Sequence, residues 1–156
     1  MKRLTCVPAI VLGLVAITTT AVVADSDARS VTGAARGLFG AGAALGVVEL
    51  QQLELGTGVF IEAGGSASGT FHAVLHGSAQ GVPQQITLEG TVSGGSVAAD
   101  GRATFSGTAS LDYGDGAPPF LGVPFSVVAA SDGLVLAIDS VTLPSAGLTA
   151  GVVSIE

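Results

Sequence analysis

Arg102-Ala103-Thr104-Phe105-Ser106-Gly107-Thr108-Ala109-Ser110-Leu111-Asp112 alternates small or apolar residues with polar ones without a break. Successive side chains on an extended strand point to opposite faces, so this period of two places Ala103, Phe105, Gly107, Ala109 and Leu111 on one side. Arg102, Thr104, Ser106, Thr108, Ser110 and Asp112 fall on the other. A strand with one buried and one wet face belongs to an antiparallel sheet.

The same phase runs outward from this stretch in the N-terminal direction. Ile86, Leu88, Gly90 and Val92 oppose Gln85, Thr87, Glu89, Thr91 and Ser93. Phe71, Ala73 and Leu75 oppose Thr70, His72, Val74 and His76, and Leu53, Leu55, Val59 and Ile61 oppose Glu54, Gly56, Gly58 and Glu62, with Phe60 on the second face. Toward the C-terminus, 123–130, 134–139 and 148–155 are more uniformly apolar, which predicts strands near the centre of the sheet system. Turn residues fall between these runs: Ala63-Gly64-Gly65-Ser66, Ser93-Gly94-Gly95-Ser96, Asp100-Gly101 and Asp132-Gly133. Gly114–Gly122, with Pro118-Pro119 inside it, is the one long connection. The expectation is an all-β antiparallel meander of about 7–9 strands, bent into a curved barrel or a sandwich to hide its edges. Gly90 and Gly107, in mid-strand on the core face, favour strong coiling and tilt the choice slightly toward the barrel.

The chain's first residues follow a different logic. Met1-Lys2-Arg3 is basic, 7–17 is apolar and uncharged, and Val22-Val23-Ala24 places small residues before Asp25. This is the layout of a cleavable signal peptide over 1–24, of the bacterial type, with an uncleaved anchor as its rival. Its apolar run falls short of the roughly 20 residues that span a bilayer. The one cysteine, Cys6, lies before that run and not at the cleavage site, which excludes a lipoprotein. Residues 25–36 read as a flexible polar lead-in, and 37–156 as a single β domain that opens with a Gly/Ala-rich irregular or edge strand over 37–48.

After Ala24 the chain holds Arg29, Arg36 and Arg102 against all twelve carboxylates, a net charge of −9. A surface of that sign repels phosphate backbones and anionic headgroups, so nucleic acid is excluded as a partner and membrane contact after cleavage is disfavoured. No asparagine occurs, so N-glycosylation is excluded as well.

The residue types that carry chemistry are sparse. His72 and His76 share one face of a strand, but four residues of extended chain set them roughly 13 Å apart, too far to grip one metal ion. Asp112-Tyr113-Gly114-Asp115-Gly116 puts two carboxylates in a Gly-rich loop. Asp112 and Asp115 are therefore the candidates for a structural calcium, although the twelfth position counted from Asp112 is Val123 where a calcium loop needs a bidentate glutamate. The alternative is a turn in which each aspartate caps its own backbone. Gly65-Ser66-Ala67-Ser68-Gly69 lacks a central serine and is no nucleophile elbow. Gly40–Gly46 has neither the spacing nor the context of a dinucleotide loop. Glu54, Glu62, Glu89 and Asp139 sit opposite the apolar phase, where solvated charges belong. With one tyrosine, six phenylalanines and no tryptophan, a ring-stacking sugar platform is thin. Gln85, Thr87, Thr91, Thr104, Ser106 and Thr108 form a hydroxyl-rich face that needs no reason beyond the strand preference of threonine.

These absences point to a non-catalytic domain, secreted, periplasmic or in the cell envelope, with no catalytic residue and no cofactor beyond that calcium. Its expected partner is a protein or an envelope component. Two alternatives stay open. One is a carrier of a small apolar ligand in a barrel lumen, where Gly90, Ala103, Gly107 and Ala109 would leave room. The other is a small outer-membrane barrel, against which the scarce aromatics and the Ser154-Ile155-Glu156 terminus stand.

Overall fold

The computed structural model describes residues 28–156, and the signal segment over 1–24 lies outside them. Ten strands are present: β1 (Arg29–Phe39), β2 (Ala44–Leu45), β3 (Val48–Ile61), β4 (Ser66–Ala79), β5 (Val82–Val97), β6 (Ala103–Asp112), β7 (Phe120–Ala129), β8 (Gly133–Ile138), β9 (Val141–Thr142) and β10 (Ala146–Ile155). No helix occurs among the described residues. From β3 to β8 each long strand pairs antiparallel with the next, β8 pairs with β10, β10 with β1, and β1 with β3. Eight strands thus close a ring, with β2 and β9 as short additions on β3 and β8. Closure removes the exposed edges that a meander of this length would otherwise present.

The alternation expected from the sequence is the one observed. Leu53, Leu55, Val59 and Ile61 of β3, Phe71, Ala73 and Leu75 of β4, and Ile86, Leu88 and Val92 of β5 are buried, as are Ala103, Phe105, Ala109 and Leu111 of β6. Among the described residues no polar or charged residue is buried, so the interior is held by apolar packing. Phe71, Phe105 and Phe125 meet inside the ring: Phe71 lies edge-on to Phe105 and stacked on Phe125, both at 5.7 Å between centroids. Ala43 and Leu45, from the connection after β1, and Leu143 are buried as well.

Four expectations need correction. Strand β1 starts at Arg29, inside the stretch read as a flexible lead-in, because Val31 and Ala35 alternate inward and both edges of the strand find partners, β10 and β3. The Gly/Ala-rich 37–48 splits into the end of β1, the short β2 and a turn-rich link. Ser93-Gly94-Gly95-Ser96 is no hairpin turn; it continues β5, which takes a bulge between Val92 and Gly94 as it pairs with β6. A glycine pair suits a bulge as well as a turn. The turn between β4 and β5 is instead Gln80-Gly81, both with positive φ (51° and 80°), flanked by the Ala79–Val82 pair. Finally, β7, β8 and β10 do not lie at the centre of a sheet, because a ring has none. They form its closing seam, where β8 and β10 share only the pairs Leu134–Ala146 and Gly133–Gly147.

Candidate functional site

The outer face of β3 to β6 is polar. Thr70, Thr91 and Thr108 lie side by side across β4, β5 and β6, and all three are exposed. His72 and His76 both point outward from β4, but each faces a different carboxylate. His72 Nδ1 is 4.0 Å from Glu89, and His76 Nε2 is 3.9 Å from Glu54, which also pairs with Arg36 at 3.1 Å. These are exposed or half-exposed contacts worth little individually. Among the described residues no group of three or more His, Cys, Asp or Glu side chains converges as a metal cluster would.

At the end of the ring where β1 finishes and β2 lies, the loop 113–119 builds a different surface. Asp112 Oδ1 accepts the Gly114 N–H (2.7 Å), and Asp115 Oδ1 accepts the Ala117 N–H (2.9 Å). The two calcium candidates are therefore turn-forming carboxylates, each bonded to backbone two residues on. These turns and Pro118-Pro119, which lack N–H donors, return the chain to β7 with Phe120 opposite Leu111. As a result Tyr113 and Phe120 stand nearly perpendicular, 6.0 Å apart between centroids. The Asp139 N–H donates to the Pro124 carbonyl (2.8 Å), which draws the turn after β8 to the same place.

Tyr113, Asp115, Phe120, Leu121, Val123 and Asp139 thus line one open cleft of about 670 Å³. Phe120 and Leu121 are 61% and 79% exposed, two adjacent large apolar side chains open to water. No cation lines the cleft. Arg102, the arginine of β6's opposite end, is bound to Asp100 through Nε (2.8 Å) and Nη2 (2.6 Å), which holds the Asp100 carboxyl below the usual carboxylate range.

Sequence reading found Asp112, Tyr113 and Asp115 as a loop but not the cleft. Phe120 and Leu121 come from the start of β7 and Asp139 from the turn after β8, and they join it only through the pairing of β6, β7 and β8. The space expected inside the ring is also differently used: the Phe125 ring fills the volume beside Gly90, and Gly107 lies against the backbone of Thr91 and Val92. Glu62 is exposed, its N–H closing the turn after β3 onto Ser66, and it lines a separate shallow concavity with Arg29. Compared with known proteins, the chain matches no family model, and no curated protein or solved structure matches it either.

Proposed function

We propose that this protein is an exported, non-catalytic binding module of the cell envelope or extracellular space, and that it engages its partner through the cleft between Tyr113, Phe120 and Asp139. The observation that carries this reading is the exposure of Phe120 and Leu121 beside a concave, acid-rimmed surface. Apolar side chains gathered in a concavity are where binding energy concentrates.

Two features weigh against the rival readings. Phe71, Phe105, Leu53, Leu75, Ile86 and Leu136 present almost no surface to a water-sized molecule, so the ring's interior is packed with its own side chains. A lipid-embedded barrel turns its apolar residues outward, whereas here they point in and Glu54, His72, Glu89, Thr91 and Thr108 point out.

The test is native mass spectrometry of the protein from a secreting host, purified without detergent, beside a Phe120→Ser/Leu121→Ser variant. A complex or adduct carried by the parent and lost from the variant supports the module. A parent that stays in solution only with detergent overturns it.

A further inference from the structure

We infer that the cleft is a site for a compact organic cation, a quaternary or alkylated ammonium group that carries no anion of its own. This deepens the proposed function and rests on it.

Three observations carry it. First, Tyr113 and Phe120 meet edge to face at 83°, so their planes form a corner in which the exposed Phe120 keeps ring surface open to solvent. The π-face of an aromatic ring attracts a cation, and alkylated ammonium ions favour such settings because their charge is spread over apolar methyl groups. A rounded group touches both walls of a corner, whereas a planar guanidinium lies flat on only one. Second, Asp115 and Asp139 line the same cleft, with Asp112 adjoining it in sequence, and no arginine does. The site therefore has charge on its walls and no resident counter-charge. Third, Leu121 and Val123 extend the walls with apolar surface suited to methyl groups. The carboxylates repel an attached phosphate, so the fit is to a free cation such as choline and not to a phosphocholine headgroup.

The experiment is a titration of the isotope-labelled full-length protein with choline chloride, read by two-dimensional amide NMR. Its lone tyrosine, in a chain without tryptophan, gives a parallel fluorescence signal from the site itself. Choline is expected to shift the amides of 113–116, 120–123 and 139–140, with a dissociation constant on the order of millimolar for a shallow site. The neutral isostere 3,3-dimethylbutanol is expected to bind more weakly. An Asp115→Asn/Asp139→Asn variant is expected to lose about threefold or more in affinity. Asparagine keeps the side-chain oxygen that bonds the Ala117 N–H, and it tolerates the positive φ (53°) of position 139, so this variant isolates charge from fold.

Equal binding of the isostere, or unchanged affinity in the double variant, overturns the inference. So does a silent titration, tighter binding of Nα-acetylarginine amide than of choline, or equal capture of the protein by phosphatidylcholine vesicles. Any of these together with a native complex lost from Phe120→Ser/Leu121→Ser would leave the binding module standing and remove only its cationic ligand.

Discussion

Gly90 of β5 and Phe125 of β7 share one volume: a Cβ added at Gly90 would lie 2.6 Å from Cε1 and 2.7 Å from Cζ of the Phe125 ring. The two strands are not neighbours, since β6 lies between them. The missing side chain on β5 is what lets the ring reach across and stack on Phe71.

Gly90→Ala is therefore expected to destabilise the protein by about 1–3 kcal/mol through overpacking. The ring cannot retreat freely, because Phe71 holds it at 5.7 Å. Placing Gly90→Ala in a Phe125→Leu background removes the clash, so the alanine should cost less there, with a coupling of about 0.5–3 kcal/mol. Urea unfolding of the four proteins measures it. Additive costs would show that the two positions do not compete for space.

Glycines on the same barrel are expected to respond very differently. A Cβ at Gly107 would run into the Thr91 carbonyl and the Cα of Val92, both backbone atoms held by the β5–β6 pairing. Gly58, on the outer side of β3, has nothing within 4 Å of that position and an ordinary φ. Gly58→Ala is expected to be neutral or to stabilise by about 0.4–1 kcal/mol, through a less flexible unfolded chain. Gly107→Ala is expected to cost more than Gly90→Ala, because backbone yields less readily than a ring. Thermal melts of both variants decide it, and equal shifts would count against the packing account.

These glycines also mark how far the sequence could be read. The inward phase of β3 to β6 was legible because a buried and a wet face leave a period-two trace that single substitutions such as Gly90 do not erase. The bulge at Gly94 was not legible, since Gly94-Gly95 fits a turn locally and only the register against Ser106 shows otherwise. Gln80-Gly81 was missed for the complementary reason: glutamine carries no turn signal, and its positive φ is imposed by the hairpin. The start of β1 was hidden by small and polar residues whose strand character comes from the partners on both its edges. For the site, the loop Asp112–Asp115 was visible and the cleft was not, because β7 and the turn after β8 bring in most of its lining.

Acid titration should single out Asp100. Its carboxylate accepts from the Arg102 side chain and backbone N–H, which lowers its pKa in the folded protein. A carboxyl with a depressed folded pKa contributes stability above its unfolded pKa and loses that contribution as pH falls through the folded value. The pair lies on the surface, so the contribution is small and the midpoint is the better observable. The Asp100 carboxyl carbon is expected to titrate below an ordinary aspartate, and in Arg102→Leu to return toward the usual range. An unchanged midpoint in that variant would remove the arginine as the cause.

Asp112→Ala tests whether the loop or the strands hold the aromatic corner. The Asp112 carboxylate fixes the first turn by accepting the Gly114 N–H, and Gly114 has a positive φ of 66° and lies close over the Gln85 carbonyl. Losing that acceptor at an exposed turn should cost about 0.5–1.5 kcal/mol. The local effect is expected to exceed the global one: Gly114 amide exchange accelerates and Tyr113 fluorescence becomes more mobile, while amides of β4 and β5 exchange as before. Asp112→Asn keeps an oxygen at the same place and should restore both signals. If Tyr113 is unmoved by Asp112→Ala, its packing against Phe120 suffices to hold the corner, and the turn serves only to connect β6 to β7.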